Sequence, residues 1–295
     1  MSNKKEKSEY ELPQSDFMFK RLFGYEGNEE ITKDLISSII GEHINTIKFK
    51  NPYVLRNISK DKEERLDIRA ELDNKTICDI EIQVSNNHDI VKRILDYWAK
   101  LYTRELHKGS KYKSLKRTIV ILITNFRVDE FKDLKEYRTT WKIQERNLKI
   151  RLTDILELDI IELPKAREQI RKGTFKRTNQ NDWIKFIINP AEMEGEEMED
   201  LKDEIKKAYE IWQNTNLTDE EREIAEDRYL NLRSIEYGRE FERDLGRKEG
   251  EKIGIEKNKI ENAKKMLELG MEIDMIEKVT GLDRKKIESL KNDLT

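Results

Sequence analysis

The sequence predicts an α/β fold, a mixed sheet flanked by helices, followed by a mostly helical C-terminal region. Three observations predict it. Apolar and polar residues alternate on both sides of Asp73-Asn74-Lys75, the period of two that strands with one buried face require. Stripes of helical period stand before and after that pair, and an apolar run over 118–124, rich in Ile and Val, reads as a strand central in a sheet. Beyond about residue 165 no alternating run longer than a few residues remains.

In order along the chain, Ser15 or Asp16 can cap a helix that starts near Phe17, because a short side-chain oxygen accepts from an orphan amide of the first turn. Phe17, Phe19, Leu22 and Phe23 follow helical spacing. A second helix is expected over 28–40, with Ile31, Leu35, Ile36, Ile39 and Ile40 as its stripe and Gly41 as its stop. Residues 44–53 read as a strand with a proline-marked end, and 57–64 as a polar loop. In the hairpin, Leu66, Ile68, Ala70 and Leu72, then Ile80, Ile82 and Val84, are apolar. Asp67, Arg69 and Glu71, then Asp79, Glu81 and Gln83, are polar. A helix over 89–107 follows, buried through Ile90, Ile94, Leu95, Leu101 and Tyr102, with Gly109 just past its end. After the 118–124 strand, one or two more are expected between 137 and 163, ending at Glu162-Leu163-Pro164.

The remainder reads as amphipathic helices anchored by Trp183, Phe186, Tyr209, Trp212 and Tyr229, then a charged helix punctuated by Gly238, Gly246, Gly250 and Gly254. Charged flanks exclude a membrane reading of that glycine series; close helix crossing in an oligomer or a loosened linker helix are left. Residues 261–295 read as a small helix-turn-helix-like module, with Gly270 and Thr280-Gly281-Leu282 between its helices. Its last helix opens Asp283-Arg284-Lys285-Lys286, which suits DNA, yet acids and bases nearly balance, so a protein-contact module explains it equally. The expected division is a mobile N-terminus at 1–13, an α/β domain at 14–166, a charged helical region at 167–260 and the module at 261–295.

Composition narrows the function. Charged residues make up 40% of the chain, against about 25% in an ordinary domain, but 58 basic and 61 acidic groups leave a net charge of -3. No whole-chain field favours nucleic acid, so any basic surface must be local. The single cysteine, Cys78, excludes an internal disulfide and a zinc cage of cysteines, and His43, His88 and His107 have no metal-motif spacing. The first residues lack the apolar stretch of a signal peptide, and the longest apolar run is far short of a membrane span. The expectation is a cytoplasmic protein with no membrane partner.

The hairpin carries the candidate chemistry. Its two polar rows must share a face, and a three-residue turn at 73–75 puts Asp67 opposite Glu81 and Arg69 opposite Asp79. Opposed Cβ atoms lie about 4.5–5.5 Å apart, where two like charges destabilise a sheet. A divalent cation between them reverses that sign, and Mg²⁺ prefers few protein ligands and several waters. The alternative is a solvated strand face with Arg65 and Arg69 as counter-charges.

An ordered set of motifs surrounds this pair. Asp16-Phe17-Met18-Phe19-Lys20-Arg21-Leu22-Phe23-Gly24 comes first, then Leu66-Asp67-Ile68 and Ile80-Glu81-Ile82-Gln83. Arg93, Tyr97, Lys100-Leu101-Tyr102, Gly109 and Tyr112 follow, then Ile119-Val120-Ile121-Leu122 and Glu162-Leu163-Pro164-Lys165. The set, over roughly 14–166, resembles the PD-(D/E)XK nuclease family transposases, the Rpn-type recombination-promoting nucleases. The resemblance implies a restriction-endonuclease-like fold with Asp67, Glu81 and Gln83 as catalytic residues, and with Asp67 and Glu81 holding Mg²⁺ or Mn²⁺. Many members carry glutamine where the wider superfamily has lysine. A glutamine neither takes a proton from water nor supplies positive charge. Either the metal alone activates the water, or a cation comes from Lys20, Arg21 or Arg93.

Asp16 would add an early carboxylate, with Lys20, Arg93 and Tyr97 as accessory residues; the alternatives are plain surface charges, an Arg93 pair with Asp89 or Asp96, and a rim aromatic. Lys111, Lys113, Lys116 and Arg117, with Lys108, form the densest basic run of the first domain and are the candidates for phosphate contact. The implied function is metal-dependent hydrolysis of DNA phosphodiesters in recombination or against mobile DNA. The alternatives are a non-catalytic DNA- or protein-binding regulator acting through the C-terminal helices, and a scaffold whose tail makes a homo-oligomer.

Overall fold

The computed structural model describes residues 7–50, 67–86, 89–104, 106, 111–193 and 196–293. The expected loop at 57–64, residues 51–53 of the expected first strand, and Arg65, Leu66, His88, His107, Lys108 and Gly109 lie outside the described residues. The chain divides into two compact units, Met1–Arg233 and Ser234–Thr295.

The first unit runs α1 (Asp16–Phe23), α2 (Glu29–Ile40), β1 (Ile47–Phe49), β2 (Asp67–Leu72), β3 (Thr76–Gln83), α3 (Ile90–Arg104), β4 (Arg117–Thr124), β5 (Arg138–Trp141) and β6 (Leu156–Glu162). It continues with α4 (Leu163–Arg171), α5 (Asn179–Ile188), the short α6 (Glu196–Glu199) and α7 (Asp203–Asn214). The six strands form one mixed sheet in the order β1-β2-β3-β4-β6-β5. β3, β4 and β6 are parallel; the β1–β2, β2–β3 and β5–β6 pairs are antiparallel. Parallel neighbours need a crossover, which α3 supplies between β3 and β4.

Alternation sorts the strand residues onto two faces. Ile68, Ala70, Cys78, Ile80, Ile82, Ile119, Ile121 and Ile123 share one core with Phe17 and Phe23 of α1, Leu35 of α2, Trp183 and Phe186 of α5, and Trp212 of α7. Val120, Leu122, Leu158 and Ile160 point the other way and pack with Ile90, Ile94 and Leu101 of α3. β4 is buried on both faces, which is why 118–124 carries no charge. The change of composition near residue 165 is not a break in packing. α5 and α7 close the first core, with Trp183 and Phe186 edge-on to Phe23 at 5.6 and 6.4 Å. Asp34 of α2 accepts from Trp183 Nε1 at 2.8 Å and pairs with Lys202 at 2.8 Å, tying the late helices to an early one.

The start of α1 is capped as its sequence demands. Ser15 Oγ accepts from the Met18 amide at 3.2 Å and donates to the Tyr10 carbonyl at 2.8 Å. Ser15→Ala is expected to cost about 1 kcal/mol. In a thermal melt that is a fall of about 2–4 °C for a unit of this size.

A continuous helix, α8 (Asp219–Glu268), begins in the first unit; its later turns, α9 (Ile273–Thr280) and α10 (Arg284–Asn292) belong to the second. The second unit has its own small core of Ala263, Ile276, Leu282, Ile287 and Leu290. Gly270 and Gly281 take left-handed φ of 73° and 67° where α8 and α9 end. A Cβ at Gly238, Gly246, Gly250 or Gly254 would meet nothing within 4 Å, so no packing among the described residues accounts for these glycines. No described helix is long and apolar enough to cross a membrane.

Candidate active site

The β2–β3 turn sets the site. Asp73 and Asn74 adopt φ of 49° and 56°, which short Asx side chains tolerate, and the Lys75 amide donates to the Leu72 carbonyl at 2.9 Å. The Asp73 carboxylate accepts from the Thr46 amide at 2.7 Å and the Asn45 amide at 3.1 Å, anchoring the turn to the entry of β1. Those donors, Thr46 first, hold its pKa below the ordinary carboxylate value. The turn puts Asp67 opposite Glu81, Arg69 opposite Asp79 and Glu71 opposite Ile77.

This polar row lies on the α3 side of the sheet, since Asp79 and Glu81 register beside Val120 and Leu122 of β4. Each acid along it meets a different neighbour. Glu71 pairs with Lys50 and Lys116. Asp79, 1% exposed, has Arg69 Nε at 3.9 Å. Glu81, also 1% exposed, accepts from the Gln83 side-chain amide and has Arg93 Nη2 at 3.9 Å. Arg93 in turn donates to the Tyr97 hydroxyl at 2.9 Å, and its guanidinium carbon lies 5.6 Å from the Tyr97 ring centroid. Glu81, Gln83, Arg93 and Tyr97 therefore form one connected group, and the register adds Asp67 as the residue facing Glu81.

The donor chemistry fits a hard divalent cation. Asp67 and Glu81 are oxygen donors on one rung, Ile82 offers the next backbone carbonyl, and Mg²⁺ needs few protein ligands. Among the described residues no group of three or more His, Cys, Asp or Glu is arranged to hold a metal ion.

Most of the remaining candidates pair with other residues. Asp16 pairs with Lys20 at 2.9 Å and Arg228 at 3.5 Å, on a helix that packs against the opposite sheet face. Arg21 pairs with Glu221 at 2.6 Å. Lys116 is bound to Glu71, and Arg117 spans Glu42 and Glu157. Lys111 and Lys113 are exposed beside Tyr112, which is 83% exposed. Arg284 of α10 is held by Asp274 at 2.6 Å and Glu288 at 3.3 Å. Burial pushes the Cys78 thiol pKa well up, which keeps it an inert core residue.

Sequence spacing does not reveal several partners that matter here. Glu71 and Lys116 are 45 residues apart, and Arg117 lies 75 from Glu42. Burial is likewise not read from spacing: Glu162 and Lys165, three residues apart, form an ion pair inside the fold. The Lys116 and Lys50 ammonium groups hold the Glu71 carboxyl below its usual value of 4.5. A depressed folded-state pKa stabilises above the unfolded value and stops doing so as pH falls through the folded one. Glu71→Gln is thus expected to lower the urea midpoint at pH 7, with the gap to wild type closing as the pH drops below 4.5.

Comparison with curated proteins gives no match, and comparison with solved structures gives none either. The family model of the PD-(D/E)XK nuclease family transposases matches residues 13–234. That stretch contains the whole sheet, the opposed acids and the helices that close the first core. The chain belongs to the PD-(D/E)XK nuclease family transposases.

Proposed function

We propose that the protein is a metal-dependent DNA endonuclease that hydrolyses phosphodiester bonds, acting in recombination or on mobile DNA. The observation that carries this reading is the rung Asp67–Glu81, with Gln83 and Arg93 both turned to Glu81. Family membership supports nuclease chemistry, and the opposed acids supply the donors for it. Asp67 and Glu81 would hold Mg²⁺ or Mn²⁺, which when bound polarises the scissile phosphate and lowers the pKa of a coordinated water.

The chain's own residues do the rest. Gln83 cannot titrate, so its amide orients Glu81 rather than taking a proton. Arg93 takes the charge role of the missing lysine. It is the candidate cation directed at Glu81, and Tyr97 fixes its guanidinium from four residues along the same helix face. Lys111 and Lys113 lie exposed before β4 and are proposed to track the phosphate backbone without reading sequence. The test is plasmid nicking by purified protein with Mg²⁺, Mn²⁺ or EDTA. Metal-dependent cutting that Asp67→Ala removes is the expected result; cutting that survives both the substitution and EDTA refutes it.

A second reading is a non-catalytic regulator acting through the C-terminal helices. The separate core of the second unit favours it. Removing residues 255–295 would then abolish DNA or partner binding, while Asp67→Ala would change nothing.

A further inference from the structure

One cation at the acid-bearing end of the sheet is hydrogen-bonded by neutral amides rather than by an acid. Arg167 lies one turn into α4 and is partly buried. Its Nη2 donates to Asn125 Oδ1 at 2.7 Å and to Gln14 Oε1. Both acceptors are neutral amides; the Glu192 carboxylate acts on the guanidinium only through space, and no carboxylate lies within ion-pair distance among the described residues. Arg21, Arg117 and Arg138 of the same unit each have one. Both bonds use Nη2, so Nε and Nη1 of the guanidinium fork have no partner among the described residues.

The anchor of this group is the strand end that carries the candidate acids. The Asn125 amide donates to the Gln83 carbonyl at 2.9 Å, two residues beyond Glu81. Gln83 and Thr124 register together at the ends of parallel β3 and β4, and Asp67 stands opposite Glu81. Crevices outside the carboxyl ends of parallel strands are where α/β sheets bind ligands. A guanidinium stays charged, and its partial burial without a paired acid is unfavourable; Glu192 offsets this only through space. Two amide oxygens orient such a fork but do not neutralise it. An oxyanion would do so, because the open edge matches a phosphate or carboxylate bidentately. A cross-link that served only the fold would gain more from an acid, as Lys165 does from Glu162.

We propose that Arg167 binds a backbone phosphate of the nucleic-acid substrate, positioned by Asn125 and Gln14 at the end of β3 and β4. The inference rests on the nuclease reading for its substrate class. It is tested on the full-length protein by fluorescence anisotropy with a labelled DNA duplex, in Ca²⁺, over a range of salt. Loss of one phosphate contact flattens the slope of log affinity against log salt by about 0.9. Arg167→Gln is expected to weaken binding roughly tenfold at fixed salt and to show that smaller slope. Arg167→Lys should keep the wild-type slope with partial affinity. Asn125→Ala, which leaves the charge but frees it, should weaken binding with the slope unchanged.

An Arg167→Gln protein with wild-type affinity and slope overturns the proposal. So does weaker binding with an unchanged slope that lysine does not rescue, because that is structural damage. If wild type binds but does not cut in Mg²⁺, the nuclease reading fails while the slope still decides Arg167. If wild type cuts and Arg167→Gln binds and cuts equally well, the phosphate contact alone fails. If wild type does not bind DNA, both fail.

Discussion

Alanine at Asp67 or Glu81 is expected to lower Mg²⁺-dependent DNA cleavage by about 10³-fold or more in kcat/KM. A bound metal supplies several kcal/mol of charge stabilisation, and each 1.36 kcal/mol is a factor of ten. Glu81→Gln is the sharper variant, because it keeps the shape of a side chain that is 1% exposed while removing one of two opposed charges. Like charges on one rung destabilise a sheet. In EDTA the variant relieves that repulsion but loses the charge facing Arg93, so its melting temperature should stay close to that of wild type. In excess Mg²⁺ the wild type should gain RT ln(1 + [L]/Kd) of stability, and the variant should not. Gln83→Ala should lose about 10–100-fold, the usual loss when a group that orients a metal ligand is removed. Plasmid nicking and thermal melts read all three. A Glu81→Gln protein that still shows the full Mg²⁺-dependent rise in melting temperature would place the cation elsewhere.

The largest effect on stability is expected at Lys165. Its side chain is 3% exposed and its ammonium pairs with Glu162, 1% exposed; the ammonium also donates to the Phe131 carbonyl at 2.8 Å. The second Glu162 oxygen accepts from the Val128 amide at 2.8 Å. The pair thus pins the segment after β4 to the junction of β6 and α4. Lys165→Met leaves a buried carboxylate without its cation and the Phe131 carbonyl without its donor. The loss should be about 3–5 kcal/mol, roughly 6–20 °C at about 2–4 °C per kcal/mol for a unit of this size. Adding Glu162→Gln should recover much of it, since desolvation of a buried pair offsets most of its Coulomb attraction. Calorimetry on the single and double variants decides the matter. If the double variant is no better than Lys165→Met, the uncompensated charge is not the cause.

Much of the sheet is legible from one sequence because its rules are local. Alternation around Asp73-Asn74-Lys75 determines which residues share a face, and the turn length determines the register, so Asp67 opposite Glu81 follows from counting. The uncharged run at 118–124 announces a strand covered on both faces, and it is. Gly41 and Gly281 mark helix ends because the left-handed conformation costs other residues more. The late helices were less legible. Composition is dominated by charge there, with eight acids in 192–204. The few residues that fasten this region to the first core, Trp183, Phe186, Ile205 and Trp212, are sparse within it.

By itself, the sequence determined the α/β class, the hairpin, its register and therefore the pair of opposed acids, because strand period and turn length are properties of neighbouring residues. Only the tertiary structure decided which charges the fold consumes. Lys116 and Arg117 look like a basic run until Glu71, Glu42 and Glu157 arrive from 40 to 75 residues away. Arg93 and Arg167 differ from them in where their partners lie. Arg93 faces Glu81 from another element, and Arg167 finds two neutral amides at the end of the strands. Pairing energy depends on distance and burial, and the fold sets both independently of separation along the chain.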